Sequence, residues 1–170
     1  MSEPNIRLQL AEPFDPKDIE WRVQRSGETT RGRWAMVLAY VTNRAIMDRL
    51  DEVFGIEGWQ NEYQFMPDGG VVCGIKAKVN GEWVIKYDGA EQTQIEAVKG
   101  GLSGAMKRAG VQWGIGRYLY HLDTNFVTLL TKDEKEADKE YLTAIVDRQK
   151  FFYERPKLPE FAMPNKGGNL

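Results

Sequence analysis

The sequence predicts an α+β domain in which an antiparallel sheet is followed by a long, glycine-bearing helix. Three observations predict it. Asn80-Gly81 stands between two runs that alternate apolar and polar residues, the strongest short-range signature of a tight hairpin. Leu102, Ala105, Met106, Ala109 and Trp113 recur at helical spacing and make one apolar face. Thr42 and Gly55 bracket a second amphipathic stretch with start and stop signals.

Taken in order, residues 1–20 place Pro13 and Pro16 on either side of Phe14 and read as an arm or short helix. Trp21 and Val23 alternate with Arg22 and Gln24, as in a strand. Residues 26–32, SGETTRG, are rich in breakers and read as a turn or mobile loop. Residues 34–41, WAMVLAYV, suit a buried strand or half a helix, and periodicity does not choose between them. A helix capped by Thr42 runs to Phe54, with Ile46, Leu50 and Val53 as its buried stripe. Strands follow over residues 61–66, 71–79 and 82–87, joined by the turns Pro67-Asp68-Gly69-Gly70 and Asn80-Gly81. Asp88-Gly89-Ala90 reads as a break before the glycine-bearing helix. Residues 132–140, KDEKEADKE, hold three lysines and five acids, a solvated helix face. Leu142, Ile145, Val146 and Phe152 continue it as a docking helix. Residues 154–170 hold three prolines and end in Gly-Gly-Asn-Leu, which gives one domain over residues 1–153 and a flexible C-terminal tail.

At 170 residues, 42% hydrophobic and 28% charged, the chain is large enough to bury a core. No apolar run approaches the roughly 20 residues of a membrane span, and the amino terminus lacks the pattern of a secretion signal. The single cysteine, Cys73, lies in an alternating apolar segment and reads as a buried thiol. These features fit a reducing, cytoplasmic compartment.

The net charge of −2 conceals a segregation. Residues 22–49 carry six arginines against Glu28 and Asp48, a local balance of +4. Residues 97–122 add Lys99, Lys107, Arg108 and Arg117 with no acid among them, another +4. A focused positive surface steers a polyanion whatever the overall sum. Gly104 and Gly110 each weaken that helix by roughly 1 kcal/mol relative to alanine, so close approach by a backbone or a phosphate chain is the expected compensation.

Catalytic chemistry is not legible. One cysteine and one histidine, His121, cannot build a zinc-finger type site or a nucleophile–histidine pair. Gly114-Ile115-Gly116 lacks the spacing and preceding strand of a nucleotide loop, and Gln112 to Gly116 is one residue short of an acetyl-CoA loop. The best enzyme alternative is a metal-dependent nuclease built on Asp88, Glu91 and Glu96 with Lys99. Acids in the first turn of a solvated helix account for Glu91 and Glu96 more simply. The expectation is therefore a binding protein without catalytic activity or cofactor.

Two stretches carry a family resemblance. Residues 43–59, NRAIMDRLDEVFGIEGW, resemble the helix, acid-x-Phe-Gly and Gly-Trp signature of the Rad52-type single-strand annealing proteins. Residues 104–120, GAMKRAGVQWGIGRYLY, resemble their Lys-Arg-Ala helix followed by an aromatic-Gly pair, and the ending is especially like the bacterial and phage branch. Similarity runs from about residue 10 to residue 123. The resemblance implies a β-β-β-α core and a homo-oligomeric ring with a positively charged outer groove. Single-stranded DNA would lie there by its backbone, and complementary strands would be annealed without ATP in repair or recombination.

By position, Lys107 and Arg108 match the family's groove cations, and Arg44 falls within one residue of its groove arginine. A further family cation, one turn after the Lys-Arg pair, is replaced by Val111, with Lys99 or Arg117 placed to compensate. Arg33 and Arg49 complete the set expected to contact DNA. Trp113 and Tyr118 read as core or subunit contacts. The partners implied are single-stranded DNA, further copies of the chain and a single-strand binding protein, at the nucleoid and away from membrane. The alternative is an end-binding cap that shields strands without annealing them.

Overall fold

The computed structural model describes residues 5–91 and 97–165. In chain order the elements are α1 (Ile6–Ala11), β1 (Ile19–Thr29), β2 (Gly32–Val41), α2 (Asn43–Phe54), β3 (Trp59–Phe65), β4 (Val71–Val79), β5 (Glu82–Ala90), α3 (Ala97–Gln112), β6 (Asn125–Thr128), β7 (Tyr141–Val146) and β8 (Gln149–Glu154). The strands form three antiparallel sheets, ordered β1-β2-β6, β3-β4-β5 and β7-β8. The fold is thus mixed, with antiparallel sheets and few helices, and the β3-β4-β5 meander runs into α3.

The Asn80-Gly81 turn forms as its sequence demands, with both residues at positive φ, 50° and 84°. One face of β4 (Val71, Cys73, Ile75, Ala77) is buried, and α3 packs across β4 and β5 with Ala105, Met106 and Ala109 inward. Burial pushes the Cys73 thiol up to about 11, with Glu62 adding and Tyr63 opposing, as befits an inert core sulfur. Gly104 faces Ala90 on β5, where an added Cβ would come within 3.3 Å, so the close approach is to protein.

Helix α2 begins and ends where its signals lie. Thr42 Oγ1 accepts from the Ala45 N–H at 3.2 Å, and Ile46 and Leu50 are buried. Gly55, at φ 75°, donates its N–H to the Asp51 carbonyl at 2.9 Å. The chain then folds back on the helix end. Gly58 N–H bonds the Gly55 carbonyl at 2.9 Å, and Trp59 Nε1 donates to Asp51 Oδ1 at 2.6 Å. The Phe-Gly and Gly-Trp letters of the first motif are therefore the closing turn that launches β3.

Three expectations need correction. Residues 26–32 are no loop: β1 continues to Thr29 and β2 begins at Gly32, leaving only Thr30 and Arg31 at the turn. Gly27 pairs with Trp34, and the indole lies over it where a Cβ would stand 2.7 Å away. The breaker-like glycine instead makes room for a ring across the ladder. Asp88-Gly89-Ala90 is likewise no break, since β5 runs to Ala90 in register with Val71. Residues 141–154 form a hairpin, not a docking helix. Asp147 and Arg148 turn it at φ 50° and 64°, and Ala144, Phe151 and Tyr153 bury its inner face. In the segment Tyr141–Val146 the β-branched Thr143, Ile145 and Val146 favour the pleated surface, which outweighs the helical composition of the charged run before it.

That hairpin packs on the first sheet, with Tyr153 Oη donating to the Trp21 carbonyl at 3.3 Å. Beyond β8, Leu158 packs against the core and Ala162 is buried, while Phe161 is exposed. Among the described residues no helix is long and apolar enough to cross a membrane.

Candidate nucleic-acid interface

Strand alternation sets the first wall of the site. Ile19 and Trp21 point into the core, so Glu20 and Arg22 point the other way. The start of α2 supplies the second wall with Thr42, Asn43 and the exposed Arg44. The early turns of α3 supply the third with Lys99, Leu102, Ser103 and Lys107. With Lys17, Asp18 and Tyr63 these residues line one open groove of about 1020 Å³. Five cations (Lys17, Arg22, Arg44, Lys99 and Lys107) face two carboxylates there. Asn43 Oδ1 is buried at its wall and accepts no hydrogen bond from any described residue.

Lys107 is the most enclosed of the five. Its side chain is 11% exposed, and Nζ lies 3.2 Å from Glu20 Oε2. Arg22 Nη2 reaches the same oxygen at 2.9 Å. Burial pushes the Glu20 carboxyl up, but hydrogen bonds from Arg22 and Lys107 outweigh it and hold the group below its ordinary value. The Lys107 ammonium is pushed down by burial and by Arg22, against the pull of Glu20. One carboxylate thus serves two cations.

Arg108 points to the neighbouring cleft, about 680 Å³ between α3 and the first sheet, which Lys107 also borders. Its Nε sits 3.0 Å from Asp88 Oδ1. Asp88 also accepts from Gln112 Nε2 at 3.0 Å and from the Gly89 N–H at 2.7 Å. Burial raises that carboxyl, and the donors Gln112, Gly89 and Arg108 together lower it below its usual value. The residue singled out for a nuclease thus already serves three donors, and Glu96 lies outside the described residues. Among those described, no three His, Cys, Asp or Glu groups cluster to hold a metal ion.

The structure brings Arg44, Lys99 and Lys107 together around the groove, with Arg108 adjoining. Arg33, Arg49 and Arg117 line neither space. Arg117 donates to the Val111 carbonyl at 2.7 Å and to Gln112 at 3.0 Å, satisfying the last carbonyls of α3. Arg33 stands 5.0 Å over the Phe151 ring and 3.7 Å from Glu28. Arg49 gives Nη1 to the carbonyls of Gln9 and Glu12 at 2.9 and 2.8 Å and covers the Phe14 ring at 4.1 Å. Trp113 and Tyr118 are half-buried: Trp113 Nε1 donates to the Ile75 carbonyl at 2.9 Å, and Tyr118 Oη accepts from the Phe14 N–H at 2.9 Å. Sequence reasoning missed Arg22, Lys17 and Asn43. The alternation of Trp21, Arg22 and Val23 was the available signal for Arg22.

Comparison with known proteins places the chain in a family. Residues 3–139 match the model of the Rad52/22 family double-strand break repair proteins. The chain is 31% identical over 168 residues to the single-stranded DNA-binding protein DdrA of Deinococcus radiodurans, covering 97% of this chain and 71% of that one. It is 29% identical over 168 residues to DdrA of Deinococcus deserti, covering 97% and 73%.

Proposed function

Because the chain belongs to the Rad52/22 family of double-strand break repair proteins, we propose that it binds single-stranded DNA in repair and anneals complementary strands without ATP. It is a binding protein and not an enzyme. The observation that carries this reading is the convergence of Arg44, Lys99 and Lys107, from two distant helices, on one groove with Arg22 of β1. A track of cations of this kind grips sugar-phosphate without reading sequence, which leaves the bases free to find a complement. The names of the Deinococcus relatives agree with the ligand.

One subunit offers a handful of phosphate contacts, and binding of that size is weak and salt-sensitive. Repetition of the groove round a homo-oligomeric ring supplies the rest, through a head-to-tail interface that closes. An unpartnered apolar surface supports self-association. Trp34, Met36 and Leu38 of β2 share one face with Phe126 of β6, and Phe126 is 65% exposed. The site of action is the cytoplasm, at the nucleoid, where a single-strand binding protein is a natural partner.

Arg44→Ala, Lys99→Ala and Lys107→Ala are each expected to weaken binding of a labelled oligothymidylate about three- to ten-fold. Each should flatten the slope of log affinity against log salt by about 0.7, the share of one phosphate on a single strand, at unchanged oligomer size. Loss of the oligomer would assign those residues to the subunit contact instead. The wild type should also speed annealing of complementary oligonucleotides. Nuclease protection without such acceleration would favour the end-binding cap, and salt-independent binding would remove both readings.

A further inference from the structure

We infer that Arg22 and Lys107 form a seat for one backbone phosphate of the strand, and that Glu20 is the resident competitor for that seat. The inference rests on the single-stranded DNA reading above. Both cations reach the same oxygen, Glu20 Oε2, at 2.9 and 3.2 Å. Both also lie near the Tyr40 ring, Arg22 Cζ at 5.6 Å and Lys107 Nζ at 5.9 Å from its centroid. The cluster therefore holds two positive charges against one negative charge, in the same groove as Arg44 and Lys99. Among the described residues, no second anion reaches these two cations.

Mobility is divided unevenly among the three. Lys107, 11% exposed, cannot follow a ligand into solvent, so the anion must come to it. Glu20 is 42% exposed and sits on a strand, free to swing its carboxylate outward once a phosphate oxygen takes over its two donors. The other ion pair of the region behaves differently, because Asp88 is held by Gln112 and the Gly89 N–H as well as by Arg108. Among the described residues, Glu20 accepts from Arg22 and Lys107 alone. A resident carboxylate suits an annealing surface, since each phosphate that leaves is replaced at once and the strand can be released or shifted in register.

The test compares wild type, Glu20→Gln, the control Glu57→Gln and the double variant Glu20→Gln/Lys107→Ala for binding of a fluorescein-labelled oligothymidylate across a salt series. Glu20→Gln should bind about five-fold more tightly, the effect of removing a unit charge about 4 Å from a phosphate in a water-like medium. Its salt slope should steepen by about 0.7, because a phosphate then meets cations freed from their protein partner. Glu57→Gln, an exposed acid away from the groove, should change neither, and the double variant should lose the gain. If Glu20→Gln unfolds in a thermal melt, Glu20→Asp, which keeps the charge but shortens its reach, should move affinity in the same direction by less. Wild-type binding that is salt-dependent while Glu20→Gln binds equally or more weakly would overturn this inference alone. Absence of salt-dependent binding by the wild type would overturn the function and the inference together.

Discussion

Arg49→Ala is expected to lower the free energy of unfolding by about 3 kcal/mol, read from urea denaturation. The Arg49 side chain, 11% exposed, gives its guanidinium to carbonyls at the end of α1 and holds it over the Phe14 ring. Burial pushes its pKa down while Glu52, Glu12 and Tyr118 pull the other way, and a guanidinium stays charged throughout. Truncation leaves the Gln9, Leu10 and Glu12 carbonyls without this donor and removes the cation from the ring. The amino-terminal segment would then lose its attachment to α2. A variant as stable as wild type but with a flatter salt slope would instead assign Arg49 to the strand.

Gly58→Ala should destabilise by a similar amount, about 3 kcal/mol, through a different cause. A Cβ at this position overlaps the Phe54 carbonyl oxygen, which is backbone and cannot rotate away. Relief requires the turn between α2 and β3 to open. That would strain the Trp59–Asp51 bond and the Lys78 N–H to Gly58 carbonyl bond, 2.9 Å, which ties the turn to β4. Gly70→Ala, where the nearest atom to a new Cβ is the Asp68 carboxylate oxygen at 3.3 Å, is the comparison and should cost far less. Equal melting temperatures for the two variants would contradict this account of the Gly-Trp motif.

The parts of the fold that were legible are those whose ends are chemically marked. Thr42 and Gly55 fix α2 because a side-chain oxygen and a left-handed residue are required there, and Asn80-Gly81 fixes a turn for the same reason. The β7–β8 hairpin is not legible, because the charged run over residues 132–140 has a helical composition and the turn at Asp147-Arg148 lacks a glycine. Residues 26–32 misled for the opposite reason. Glycine and threonines that favour a loop in isolation are held in a ladder by ten paired positions between Ile19 and Val41.

The candidate site follows the same logic. Segregated charge pointed to the two segments whose cations meet, and Arg44, Lys99 and Lys107 do line one groove. Charge counting could not separate those from Arg49 and Arg117, whose guanidiniums satisfy carbonyls at helix ends. Nor could it find Glu20, since alternation along a strand gives the face of a residue but not its partner. The convergence of Arg22 and Lys107 on one oxygen of Glu20 is visible only in three dimensions.

The most direct measurement is an electron-microscopy reconstruction of the protein bound to an oligothymidylate. The account predicts closed rings in which the strand runs through the groove between Arg44 and Lys107, passes from one subunit to the next, and turns its bases outward. A strand lying instead across the outer face of β4 and β5, over Trp83 and Tyr87, or bound by solitary subunits, would contradict it.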